Sequence, residues 1–375
     1  MPALLPNVDP EGLEEFSVVF TDRSLNHMSK AFQTVMRDIS GLLREVYNAH
    51  AVALVPGGGS YAMESVARQF AGGKKALVVR NGWFSYRWSQ IFDMGGFAGD
   101  VTVAMARQTG NSATSAFAPA PIAEVTEAIR ANRPAVVFAP HVETAAGMIL
   151  PDDYLKALAD AAHEVGALFV LDCIASGCVW VDMQAVGVDV LISAPQKGWS
   201  ASPSAGLVML SEAAVSRLEE STSNSFALDL KKWRAIMAAY EGGGHGYHAT
   251  MPTDALRAFR DTMVETRDYG FARLKAAQWR LGDAVRATLA ARGIRSVAAD
   301  GFAAPGVVVS YTDDPDIQNG KKFLAQGVQI AAGVPLQVGE PDGFRTFRLG
   351  LFGLDKLYDV DATVARVAAA LDAAL

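Results

Sequence analysis

Cysteine is scarce in this chain. Its 375 residues hold only Cys173 and Cys178, too few for a disulfide framework, so a reducing cytoplasm is the expected setting. Basic excess is missing as well. The 33 Lys and Arg face 40 Asp and Glu, for a formal charge of −7, and without a basic stripe nucleic acid is excluded as a main partner. No apolar run approaches the roughly 20 residues that a membrane helix needs, so no membrane association is expected. The opening Met1-Pro2-Ala3-Leu4-Leu5-Pro6 carries neither Lys nor Arg and does not read as a signal peptide. What the chain has in abundance is apolar surface: half of its residues are hydrophobic, enough for a large interior, and the length suits two domains.

Strand-like and helical patterns alternate through the first two thirds. Ala51–Val55, Ala76–Val79, 135–139 and Leu168–Leu171 read as strands, and Ser60–Phe70, Phe84–Phe92 and a segment opening at Pro151 and closing at Gly166 read as helices. The strands are continuous apolar runs, which predicts cover on both faces. Repeated βα units predict an α/β fold with a mostly parallel sheet flanked by helices. After the glycine-rich loop 241–246 a long helix is expected over Thr253–Arg292. Strands follow at Val307–Tyr311 and Phe347–Leu351, with helices at Asp314–Gln326 and from Asp359. The expected division is an N-terminal segment 1–20, a large domain 21–252, and a long linking helix with a smaller C-terminal α+β domain over 253–375.

Ligands of open α/β sheets collect at the carboxyl ends of strands, and the chemically capable residues fall there. Val170-Leu171-Asp172 ends an apolar strand in a carboxylate. Ser193-Ala194-Pro195-Gln196-Lys197 follows a second apolar run, Val188–Ile192. An Asp and a Lys at two strand ends match what pyridoxal phosphate chemistry needs: an amine for a Schiff base and an acid for the pyridinium nitrogen. Burial would depress the lysine from its ordinary value of about 10.4 and let it serve as a general acid and base.

Gly57-Gly58-Gly59-Ser60 lies between a strand and a helix, where backbone N–H groups cradle phosphate. It is not a P-loop, because no Gly-Lys-Ser/Thr follows. Gly57-x-Gly59-x-x-Ala62 also fits the dinucleotide fingerprint, which keeps an NADP-dependent oxidoreductase open. There Arg80 stands where the ribose-binding acid belongs. His141 and Glu143 lack a third ligand at useful spacing and are read as hydrogen-bonded support, with no metal site. Phe84 is placed either in the core or against a flat cofactor ring. His163 is read as surface. Arg348, inside an apolar strand, is costly unless paired. Its fork would hold a substrate carboxylate, or close an internal salt bridge.

Together these segments resemble the class V aminotransferases of pyridoxal phosphate fold type I, nearest to the alanine–glyoxylate and serine–pyruvate branch. The resemblance runs from Val52 to Gly353. It implies a seven-stranded large-domain sheet, with Gly58, Gly59 and Ser60 at the phosphate. Phe84 of Asn81-Gly82-Trp83-Phe84 would lie on the ring, and Thr144 of the His141–Gly147 motif beside the cofactor. Asp172 and Ile174 would flank the ring, Gln196 would reach the phosphate, and Lys197 would carry it covalently. Tyr247 and Thr250, in Tyr247-His248-Ala249-Thr250-Met251-Pro252, would reach the cofactor of the neighbouring subunit, which implies a homodimer. Arg348 would bind the substrate. The usual Pro-Gly-Pro turn is replaced by Phe20-Thr21-Asp22-Arg23-Ser24, and Phe84 stands for the more usual Trp. The implied activity moves the amine of alanine or serine to glyoxylate or pyruvate. A lyase or desulfurase on the same scaffold is the alternative.

Overall fold

The apolar runs assemble into one seven-stranded sheet. The structure, a computed structural model, describes residues 8, 9 and 12–375; the Met1–Pro6 reading lies outside them. The strands are β1 (Ala51–Pro56), β2 (Ala76–Arg80), β3 (Val101–Met105), β4 (Val136–Pro140), β5 (Leu168–Asp172), β6 (Val190–Ser193) and β7 (Ala205–Leu210). Their spatial order is β1-β7-β6-β5-β4-β2-β3. Strand β7 runs antiparallel to both neighbours, and the other pairs are parallel. Strands β4 to β7 are buried along their whole length, as continuous apolar runs require.

Among the helices that surround this sheet and its smaller companion are α1 (Lys30–Tyr47), α2 (Gly59–Phe70), α3 (Trp83–Gly95), α4 (Asp152–Glu164), α5 (Leu230–Glu241), α6 (Thr253–Tyr269), α7 (Phe271–Ala290) and α8 (Val360–Ala374). Pro151 stands at the N-cap of α4, and Gly166 takes φ +75° just beyond its end, where a left-handed residue releases the chain into β5. Helix α3 is held to the sheet by rings. Trp88 and Phe92 stand 4.4 and 5.6 Å from Phe138 of β4, centroid to centroid.

Helix α1 escaped the reading above, although Phe32, Val35, Met36, Ile39 and Leu43 form a buried stripe at helical spacing. Ser29 caps it by accepting the Phe32 N–H. The single helix expected over 253–292 is two helices. Gly270 takes φ +107° between them, a conformation that breaks the hydrogen-bond ladder and that glycine alone adopts cheaply. The helix expected over 314–326 is likewise two single turns, Pro315–Gln318 and Lys321–Leu324, separated near Gly320 at φ +82°.

A second, antiparallel sheet contains β8 (Val307–Tyr311), β9 (Ala331–Ala332) and β10 (Thr346–Gly350) in the order β8-β10-β9. Arg286 of α7 ties the turn at Gly147, beyond β4, to the small sheet. Its Nη2 donates to the carbonyls of Gly147, Ala304 and Val307 at 3.2, 2.8 and 3.2 Å. Burial lowers its pKa to about 10, still cationic at neutral pH. No helix among the described residues is long and apolar enough to cross a membrane.

The Trp88–Phe138–Phe92 contact predicts a cost for truncation. Phe138 is fully buried, so Phe138→Ala is expected to lower unfolding free energy by about 3–5 kcal/mol. Urea titration would show this as a lower midpoint at unchanged slope.

Candidate active site

Parallel register brings the first two candidate residues to the same edge of the sheet. Ile192 of β6 lies opposite Asp172 of β5, so the loops leaving both strands start at the same level. Lys197 sits on the loop after β6, and its neighbour Gly198 touches the loop after β5. A Cβ on Gly198 would fall 2.1 Å from the carbonyl oxygen of Gly177. The Cys178 thiol donates to Gly198 O at 3.4 Å and closes the same contact.

Burial shapes both charges. Desolvation raises Asp172 to about 6, assisted by the Glu143 carboxylate and opposed by the Ile174 N–H, Arg87 and Lys197. Its Oδ1 accepts that N–H at 2.9 Å. Desolvation lowers Lys197, with Asp172 opposing the shift and Arg348 and Arg87 adding to it. Its Nζ stands 5.3 Å from the centroid of Phe352. Asp172 and Lys197 form no ion pair with each other within 4.0 Å, and neither has another such partner among the described residues.

Glu143 fixes the start of α3. It is fully buried. Its carboxylate accepts the N–H groups of Phe84, Ser85 and Ala145 at 3.2, 2.9 and 2.9 Å, and the Ser85 hydroxyl lies 2.7 Å away. A carboxylate at a helix N-terminus meets both the free N–H groups and the positive end of the dipole. Gly82 permits the approach, since a Cβ there would lie 2.7 Å from Glu143 Cγ. The half-buried Phe84 ring is thereby held in place, with the guanidinium carbons of Arg87 and Arg348 5.4 and 5.5 Å from its centroid.

The glycine run lies where expected, at the start of α2. Gly58 is the N-cap and Gly59 the first helical residue. Gly59 packs on Ile174, whose Cδ1 would be 2.4 Å from an added Cβ. The Ser60 hydroxyl accepts from Arg87 Nη1 at 2.9 Å. Arg87 was not singled out from sequence. Its signal was available: it lies one helical turn beyond Phe84 on the same face.

Arg348 occupies the central strand of the small sheet, opposite Val309 and Ala331. Its Nε donates to Ala332 O at 2.8 Å, and burial lowers its pKa, opposed by Glu143. The salt bridge considered above does not form: Arg348 has no ion pair among the described residues. Thr144 is buried within the turn closed by Gly147 N–H to Glu143 O at 2.8 Å. Gln196 is exposed beside Lys197. Tyr247 and Thr250 occupy a different neighbourhood. Their hydroxyls lie 3.1 Å apart, and the Tyr247 ring stands 5.5 Å from His27.

His141 plays the supporting part expected of it. Its Nδ1 is 2.7 Å from Ser176 Oγ, and burial, with Lys275 adding, lowers its pKa to about 3, so the ring stays neutral. His163 is exposed, as read from sequence, and it also has a partner. Its Nε2 lies 2.9 Å from Asp189 Oδ2, which also accepts the Phe169 N–H.

The chain is similar to known proteins over most of its length. The family model described as aminotransferase class-V matches residues 13–336. A protein of Synechococcus named soluble hydrogenase, small subunit, is 25% identical over 352 residues, spanning 92% of this chain and 87% of that one. Alanine–glyoxylate aminotransferase 1 of Saccharomyces cerevisiae is 25% identical over 358 residues, spanning 89% and 88%. The crystal structure of an aspartate aminotransferase of subgroup IV from Thermus thermophilus superposes with a TM-score of 0.77 at 25% identity over 94% of each chain.

Two outcomes are expected from this geometry. The unfolded Asp172 carboxyl titrates near 3.8 and the folded one near 6. The native state therefore holds the extra proton, and stability falls as pH rises between these values. Without added cofactor, Asp172→Asn should exceed wild type by about 1–3 kcal/mol near neutral pH, with the gain gone below pH about 4; urea unfolding across that range checks it. Gly198→Ala should push the two loops apart at a cost of about 1–3 kcal/mol, read as a lower melting temperature.

Proposed function

Because this chain belongs to the aminotransferase class-V family and is a pyridoxal-phosphate-dependent aminotransferase, we propose that it moves the amino group of a small amino acid, alanine or serine, to glyoxylate or pyruvate. The observation that carries the reading is the pairing of a desolvated amine, Lys197, with a buried carboxylate, Asp172, at level strand ends. The alanine and glyoxylate choice draws support from the yeast relative's name.

The residues present fit the cofactor. The backbone N–H groups of Gly58, Gly59 and Ser60 have no hydrogen-bond partner among the described residues, and a phosphate satisfies such a set. Phe84 offers an aromatic face, and Ile174 an apolar contact beside Gly59. Asp172 would hold the ring nitrogen, with Thr144 and Gln196 at the cofactor's edge. When bound, the cofactor supplies an electrophilic aldehyde and an electron-withdrawing ring.

The chain's own residues do the rest. Lys197 Nζ, its pKa lowered by burial, is neutral in a larger fraction than a surface lysine. It can bind the aldehyde and, once released, carry a proton away from the substrate Cα. Asp172 would hold the ring nitrogen, whose positive charge would offset the desolvation that raises this carboxyl. Arg348 keeps Nη1 and Nη2 free of partners among the described residues, a fork suited to the substrate carboxylate.

The half-exposed pair Tyr247 and Thr250 is assigned to the cofactor of a second copy, which makes the working unit a homodimer. Residues 21–252 are assigned to the cofactor domain and 253–375 to the linking helices and small domain. Free buried thiols accord with a cytoplasmic setting. They also disfavour a desulfurase. That activity needs an accessible thiolate, whereas burial raises both thiols, Cys178 to about 12.

Purified protein is expected to show the yellow absorbance of bound cofactor, and Lys197→Ala to lose it together with turnover. A panel of amino acids against glyoxylate, pyruvate and 2-oxoglutarate should favour alanine or serine with the first two; ammonia or sulfide release without keto-acid dependence would contradict the reading. Arg348→Met should raise KM for the amino acid by about 10–150-fold, the worth of a charge-assisted hydrogen bond.

A further inference from the structure

The proposed phosphate cradle has a charge deficit. A bound phosphate monoester carries close to two negative charges at neutral pH. The groups set against it are Gly58, Gly59, Ser60 and Gln196, with Tyr247 and Thr250 offered by a second copy, and none of these side chains carries a positive charge. The α2 N-terminus contributes about half an elementary charge. Neutral donors alone would leave most of the dianion's charge uncompensated.

Arg87 removes the deficit. Its Nη1 donates to the Ser60 hydroxyl at 2.9 Å, so its guanidinium is already fastened to the cradle whose three N–H groups lack partners. Its guanidinium carbon lies 5.4 Å from the centroid of Phe84, the ring assigned to the cofactor face. It has no ion pair with any acid among the described residues, and its charge is not spent elsewhere. Arg348, the other guanidinium beside Phe84, is bound instead to Ala332 O of the small sheet. The two arginines thus divide the site: one on the Ser60 side, one on the strand side.

We propose that Arg87 is the cation that recognises the phosphate of the cofactor, through a charge-assisted contact made beside Ser60. The inference rests on the pyridoxal phosphate reading above. It assigns to this arginine the discrimination between the phosphorylated and the unphosphorylated vitamer.

The test is equilibrium binding to the full-length apoprotein, followed by absorbance and by quenching of intrinsic fluorescence. The ligands are pyridoxal phosphate and pyridoxal. Arg87→Met should weaken pyridoxal phosphate by about 10–100-fold and leave pyridoxal unchanged. Arg87→Lys, which keeps the charge and loses the fork, should recover part of the loss. In wild type, inorganic phosphate should compete with pyridoxal phosphate in a way that Arg87→Met abolishes. Equal weakening of both vitamers would overturn the proposal, because it would place Arg87 at the ring or at Asp172. An unchanged affinity for pyridoxal phosphate would overturn it as well. Failure of the wild-type apoprotein to bind pyridoxal phosphate at all would instead overturn the reading beneath it. Near-ultraviolet circular dichroism of each variant separates loss of fold from loss of binding, and the phosphate competition in wild type stands whether or not a variant folds.

Discussion

The parallel pairing of β5 with β6 is the constraint from which the site follows. Ile192 opposite Asp172 ends both strands at one height, and the Gly177–Gly198 backbone contact keeps the departing loops together. No side chain could occupy that contact. The acid and the amine therefore converge through backbone geometry, without a direct bond between them. Strands buried on both faces fix the register, since a one-residue slip would turn every side chain to the opposite face.

Around this pair the protein gathers charges that a purely structural interior would avoid. Among the described residues, Asp172 and Glu143 are buried carboxylates without ion pairs, and Lys197, Arg87 and Arg348 are cations without ion pairs. Glu143 opposes the depression of both Lys197 and Arg348 while raising Asp172. Local rules broken together in one place mark a site where a ligand completes the balance. Glu143 bears the mechanical part, because the same carboxylate that tunes these groups also caps α3 and sets Phe84.

Much of this was legible in sequence because the chemistry is local to strand ends. An apolar run closing in Asp172, and another leading to Lys197, locate two catalytic types without knowledge of the sheet order. The glycine run before α2 and the Pro and Gly bounds of α4 are equally local. Other features depend on geometry that no short window contains. Gly270 is one glycine inside a long helical pattern, and only its φ of +107° tells a break from a tolerated residue. Arg87 reads as an ordinary solvated helix charge until Ser60 and Phe84 are brought to it by separate βα units. Arg348 left open a salt bridge or a free fork, and only the folded small sheet decides between them. The role proposed for Tyr247 and Thr250 needs a second copy, which one chain does not contain.

Covalent attachment is the most direct measure of the central claim. Borohydride reduction of the purified holoprotein, followed by proteolysis and mass mapping, should place the reduced cofactor on the peptide containing Lys197 and on no other lysine. A label on a different lysine, or no label on protein that still transfers amino groups, would contradict the account.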